Sequence, residues 1–135
     1  MTLTIQRKNS RKSHRSTRAF TATEFFAGIG LVRLALERRG WQVTFANDID
    51  PDKQEIYERN FGQDDFHLGD IHKLTPDDVP QSDLFTASFP CNDLSIAGAR
   101  AGLNGKESSA FWGLIVLLKG MGDRRQPLVM LDQFA

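Results

Sequence analysis

Apolar positions along the chain fall into short runs separated by polar, glycine-containing turns, and the period changes between 2 and 3.6 from one run to the next. Phe20 to Phe26 reads as a strand that ends in Ala27-Gly28-Ile29-Gly30. Behind that turn Val32, Ala35 and Leu36 share one helical face, and Gly40 suits a helix C-terminus. Trp41 to Ala46 alternates around Val43 and Phe45 as a second strand. Asp50-Pro51 is a helix start, because Asp caps free N–H groups and Pro lacks the N–H that the first helical position would leave unpaired. That helix is predicted to run to about Asn60 and to stop at Gly62. Asp65 to Leu68 is a short third strand ended by Gly69-Asp70, and Thr75 to Pro80 is a turn-rich connection. A fourth strand over Asp83 to Phe89 leads into a loop from Pro90 to Lys106, broken by Ala97-Gly98, Ala101-Gly102 and Asn104-Gly105. An apolar helix over Ser108 to Met121 and a fifth strand over Pro127 to Leu131 complete the pattern.

Strands that alternate with helices predict the α/β class, a parallel sheet with helices on both faces. Ligands of such sheets bind outside the carboxyl ends of the strands, at the point where the strand order reverses. Here those ends carry Ala27-Gly28-Ile29-Gly30, Asn47-Asp48, Gly69-Asp70 and Pro90-Cys91. The predicted site is the rim where these turns converge.

The size, 135 residues, suits one domain. No apolar run approaches the roughly 18 residues of a membrane span, so a membrane partner is not expected and a cytoplasmic location is. Net charge is zero but unevenly spread. Arg7, Lys8, Arg11, Lys12, Arg15 and Arg18 make the start of the chain basic and acid-free, leaving 11 basic against 17 acidic residues in the remainder. Residues 1–19 are therefore read as a solvated, disordered tail that could also hold DNA phosphates. The tail has the arginine-rich look of a transit peptide but lacks its apolar phasing. With Cys91 as its one cysteine the chain forms no internal disulfide, a thiolate metal site is not expected, and a reducing intracellular setting fits.

The candidate chemistry sits in the four turns. Gly28 and Gly30 let backbone approach a ligand, at a predicted helix N-terminus that favours a carboxylate such as methionine's. The third glycine of the dinucleotide fingerprint is missing, which disfavours NAD. Asp48, about 20 residues on, could accept both ribose hydroxyls or cap a helix; with Asp50 next to the proline, Asp48 is read as the ligand and Asp50 as the cap. Asp70 could accept an adenine amino group or simply form a turn. Cys91 could be a small buried hydrophobe. Its place just past a strand end, after Pro90 in a polar glycine-rich loop, suits a nucleophile instead.

Taken together, Glu24-Phe25-Phe26-Ala27-Gly28-Ile29-Gly30, Asn47-Asp48-Ile49-Asp50, Gly69-Asp70-Ile71 and Phe89-Pro90-Cys91 resemble the first four blocks of the cytosine-C5 DNA methyltransferases, in the family's order and at similar spacing. The segment Ala97 to Gly105, followed by Ser108, Phe111 and Trp112, is similar to the family's catalytic loop and next helix. The resemblance covers about residues 20–131. It implies a Rossmann-like S-adenosylmethionine-dependent methyltransferase fold with a truncated sheet, and methyl transfer to C5 of cytosine in double-stranded DNA, leaving S-adenosylhomocysteine. It further implies that Phe26 stacks on adenine and that backbone from Ala27 through Gly28, Ile29 and Gly30 to Leu31 holds the methionine end. Asp48 would bind the ribose, Ile49 pack on adenine, Asp70 take the adenine amino group and Pro90 border the cofactor. Cys91 would attack C6 of a flipped-out cytosine while Ser95 and Arg100 close over it. A nucleoid-associated role goes with that activity, either in restriction-modification or as an orphan enzyme.

The chain also departs from the family pattern. Asn92 and Leu94 stand where the family has Gln and Phe, and Glu24 and Asp48 invert its acidic pair. After Leu131 comes Asp132 in place of the glutamate that holds cytosine N3, and the later arginine block and recognition region do not follow. Residues 20–135 are thus expected to be the N-terminal part of a catalytic domain, inactive alone, with an unpaired sheet edge open to a C-terminal half or to self-association. An RNA cytosine-C5 methyltransferase and a non-catalytic cofactor- or DNA-binding module are the competing expectations.

Overall fold

The computed structural model describes residues 18–90, 108–124 and 128–134. Five parallel strands form one sheet: β1 (Thr21–Phe25), β2 (Gln42–Asp48), β3 (Phe66–Leu68), β4 (Leu84–Pro90) and β5 (Leu128–Phe134), in the order β3-β2-β1-β4-β5. Three helices connect them: α1 (Leu31–Glu37), α2 (Pro51–Phe61) and α3 (Ser108–Gly120). This is the α/β, Rossmann-like arrangement, and its order reverses between β1 and β4. The carboxyl ends of those two strands therefore diverge around a crevice.

Alternation along the strands splits the core between the two faces. On one face Phe25, Phe45, Phe85 and Ala87 meet Leu114, Leu117 and Met121 of α3 and its C-terminal turn, with Ile71 and Val79 closing the cluster. Phe25 and Phe85 pack edge to face at 5.1 Å. On the other face Ala27, Ala46 and Tyr57 are joined by Phe61 and Phe66, so α2 covers the β2–β3 side. α2 forms where its local signals agree. The Asp50 side chain accepts from the Asp52 N–H at 2.9 Å, Pro51 opens the helix, and Gly62 ends it at a φ of 87°.

Several boundaries differ from the sequence expectation. β2 runs on to Asp48 and α2 to Phe61. β5 runs through Phe134, so Asp132 lies within the strand, level with Ser88 of β4, rather than past its end. A single 3-10 turn over Ile71–Lys73 follows Asp70, where none was expected. In α1, Val32 and Leu36 are half-buried and Ala35 is exposed; the residue turned fully inward is Arg33. Burial of that charge is offset by partners on three sides: Glu37 at 2.8 Å, Asp65 at 3.0 Å and the Tyr57 hydroxyl at 3.2 Å, with the guanidinium over the Phe61 ring. The basic tail lies outside the described residues except at its end, where Arg18 pairs with Asp83. No described helix is long and apolar enough to cross a membrane.

Candidate functional site

The crevice at the switch point is a cavity of about 590 Å³, within the size range of ligand pockets. Its wall is built in four pieces. The turn after β1 contributes Phe26, Gly28 and Ile29, and the end of β2 contributes Asn47, Asp48 and Ile49. The exit of β3 contributes Gly69, Asp70, Ile71 and His72, while Ser88 and the first turn of α3 close the far side.

The first turn is held in an unusual backbone state. Phe26 has a φ of 54°, which a bulky residue rarely adopts, and Gly28 follows at 57°. Asp48 stabilises it: Oδ2 accepts the Gly28 N–H at 2.8 Å, while Oδ1 accepts the Asp50 N–H at 3.0 Å. A carboxylate offers about four acceptor positions, so Asp48 keeps capacity for two further donors from the cavity. Asp50 is the α2 cap and Asp48 the cavity residue, the division of labour read from the proline beside Asp50. Asn47, fully buried, fastens the third turn by donating from its amide to the carbonyls of His67 and Gly69, each at 2.9 Å.

Asp70 forms the turn that its position suggested and also borders the cavity. Its Oδ1 accepts the His72 backbone N–H at 3.0 Å, capping the 3-10 turn, and faces the His72 ring at 2.8 Å; the carboxylate also lines the cavity. The His72 N–H, followed by its ring, holds the Asp70 carboxyl below the usual carboxylate range. Behind the wall lies Glu24, fully buried. Desolvation pushes its carboxyl up to about 7, against the opposing pull of the Arg33 backbone N–H and guanidinium and of the Tyr57 hydroxyl.

Of the residues singled out in the sequence, the structure brings Phe26, Gly28, Ile29, Asp48, Ile49 and Asp70 together around one cavity. Ala27 and Gly30 sit behind it. Ala27 packs with Ala46 and Tyr57, and a side chain at Gly30 would meet the Phe61 ring at 2.4 Å, so this glycine serves the packing of the turn against α2. Pro90 is the last residue of β4. Cys91, Ser95 and Arg100 lie outside the described residues. Lys53, His72, Ser88 and the start of α3 line the cavity without having been foreseen. Ser88 Oγ is buried with no hydrogen-bond partner among the described residues. Among those residues no group of three or more His, Cys, Asp or Glu side chains could hold a metal ion.

Comparison with known proteins converges on one family. A family-wide sequence model described as C-5 cytosine-specific DNA methylase matches residues 20–130. Type II methyltransferase M.NgoBI of Neisseria gonorrhoeae is 35% identical over 100 residues, covering 74% of this chain and 31% of the relative. Type II methyltransferase M.HaeII of Haemophilus aegyptius is 37% identical, with the same coverage. Among solved structures, the S. pombe Dnmt2 methyltransferase superposes with a TM-score of 0.63 at 26% identity, over 82% of this chain and 35% of its own. The chain thus spans about a third of the length of the curated relatives it matches.

Proposed function

Because the chain belongs to the C-5 cytosine-specific DNA methylase family, we propose that it is the cofactor-binding and nucleophile-bearing part of a DNA cytosine-C5 methyltransferase that uses S-adenosylmethionine. The observation that carries this reading is the convergence of Phe26, Asp48, Ile49 and Asp70 on one cavity at the switch point, whose lining includes Ser88 of β4, three residues before Cys91 in the sequence.

The residues present fit the cofactor. Two carboxylates from separate strand ends suit a ribose and an adenine amino group, Phe26 and Ile49 supply apolar wall for the base, and the orphaned Ser88 hydroxyl calls for a partner inside the cavity. Gly28, Ile29 and Leu31 line the part that would take the methionine end. When bound, S-adenosylmethionine supplies an electrophilic methyl group.

Cys91 does the remaining chemistry. Its thiolate forms a bond to C6 of cytosine, which pushes the ring's electrons onto C5 and makes that carbon nucleophilic. C5 would take the methyl group supplied by bound S-adenosylmethionine, the methyl–sulfur bond breaking as the carbon–carbon bond forms. The C5 proton is then lost to solvent, and cleavage of the Sγ–C6 bond restores the aromatic ring with the thiolate regenerated. A cytosine inside a duplex is out of reach, so the base must leave the stack, and Ser95 and Arg100 are the residues that would cover it. Such an enzyme acts in the cytoplasm, on the nucleoid.

Asp132 stands level with Ser88 on β5. It has a shorter reach than the family's glutamate, and loss of one such electrostatic contact typically costs about 100- to 1,000-fold in rate. A lower rate than with a glutamate at this position is therefore expected. The test is transfer of tritiated methyl from S-adenosylmethionine to duplex DNA and to RNA of the same sequence, with the C-terminal portion of a relative supplied as a second chain. Transfer to duplex DNA that vanishes in Cys91→Ser is the expected result. Transfer confined to RNA would reassign the substrate, and transfer that survives Cys91→Ser would remove the nucleophile.

A further inference from the structure

His72 lies at the meeting point of three elements, and neither the sequence pattern nor the chemistry above gives it a role. Its Nδ1 is 2.8 Å from Asp70 Oδ1, and its Nε2 is 3.0 Å from the Ser109 carbonyl oxygen in the first turn of α3. Both neighbours are acceptors. A carbonyl never donates, and the Asp70 carboxyl is held in its charged form by the hydrogen bonds it receives. Each ring nitrogen thus faces an acceptor, and the ring spans the gap between the two. The approach of α3 that makes this possible depends on Gly113. A side chain there would stand 2.9 Å from Ile71 Cγ2 and 3.1 Å from His72 Nε2. His72, Asp70, Ile71, Ser109 and Ala110 all line the cavity, so the bridge forms part of its wall.

We propose that His72 is a positioning residue of the cofactor site, its ring tying the Asp70 carboxylate to the first turn of α3 and so fixing the wall that meets the adenine. This rests on the cofactor reading given above. His72 does not touch the reacting atoms; it orients the carboxylate that does the recognition, and its backbone N–H, followed by its ring, holds that carboxyl below the usual range. Asp70 is the one carboxylate paired with the His72 ring among the described residues.

The experiment has two readouts on the 135-residue chain. Proton–nitrogen spectra of the imidazoles, without cofactor and with His72 assigned by His72→Asn, report the bridge itself. In the expected spectrum the His72 ring signals report its contact with Asp70, and Asp70→Asn shifts them. Calorimetric titration with S-adenosylhomocysteine reports the positioning role. His72→Asn, which keeps only the reach toward Asp70, and His72→Gln, which keeps only the reach toward Ser109, should each bind about 3- to 10-fold more weakly than the wild type, a modest effect because the pair is partly solvated, and His72→Ala, which loses both, should bind more weakly than either. A His72 ring that ignores Asp70→Asn overturns the bridge. A bridge that is present while wild type, His72→Asn and His72→Gln bind S-adenosylhomocysteine equally overturns the positioning role and leaves the cofactor reading intact. A folded wild-type chain that shows the bridge but never binds S-adenosylhomocysteine overturns both the cofactor reading and the role built on it.

Discussion

At Glu24 the fold holds a carboxyl group against its ordinary preference for charge, and this has a consequence for stability. Its value rises from 4.5 to about 7 on folding, chiefly through burial. The folded chain therefore retains the proton that the unfolded chain gives up, and this contribution is fully present below pH 4.5. It is lost as pH climbs through about 7, and the whole rise corresponds to about 3 kcal/mol. Urea unfolding at pH 5 and pH 8 should show the wild type less stable at the higher pH, and Glu24→Gln should remove most of that difference. An unchanged pH dependence in Glu24→Gln would place the titration elsewhere. Ser88 makes the second prediction at this scale. Its hydroxyl is buried without a partner among the described residues, so Ser88→Ala should leave stability unchanged or improve it slightly. The same change should weaken S-adenosylhomocysteine binding by several-fold in titration calorimetry. A variant that binds as the wild type does would show that the hydroxyl does not face the ligand.

Helix packing sets what the glycine-rich turn can tolerate. Gly30, at a φ of 87°, faces the rings of Phe61 and Tyr57 on α2. An alanine there meets both a left-handed backbone and a ring at 2.4 Å, so Gly30→Ala should cost about 2–4 kcal/mol in urea unfolding. A loss below about 0.5 kcal/mol would show that α2 yields freely. The elements themselves were legible because local signals and tertiary packing agree, as Asp50, Pro51 and Gly62 do around α2. The rest was hidden for physical reasons. Periodicity marks apolar side chains as inward, yet the inward residue of α1 is Arg33, whose acid and aromatic partners come from α1, α2 and the start of β3 and become neighbours only after folding. The cavity acids Asp48 and Asp70 were legible because Asp48 closes β2 and Asp70 follows β3 at the next turn. Asn47 and His72 were not, since each acts through main-chain groups of another element and shows no spacing motif of its own.

For the molecule as a whole, β5 is one of the sheet's two edge strands, and its apolar side chains are exposed. Leu128, Val129, Met130 and Leu131 are between 42% and 57% exposed, so both faces of β5 are apolar and partly uncovered. In relatives about three times as long, there is further chain to cover such an edge. We propose that β5 takes a strand from a C-terminal portion or, without one, from a second copy. Sedimentation should then show concentration-dependent self-association that Val129→Lys reduces, whereas a monomer at every concentration would contradict it. The central claim, however, is that the rim at the β1–β4 switch point is an S-adenosylmethionine site anchored by Asp48, and its most direct test is calorimetric titration of the folded chain with S-adenosylhomocysteine. Asp48 both receives the ligand in this account and holds the Gly28 turn, so Asp48→Ala should weaken binding at least 10-fold, with Asp48→Asn intermediate. The predicted result is one ligand per chain, with the heat largely lost in Asp48→Ala; equal affinity in wild type and Asp48→Ala, both shown to be folded by circular dichroism, would contradict the account.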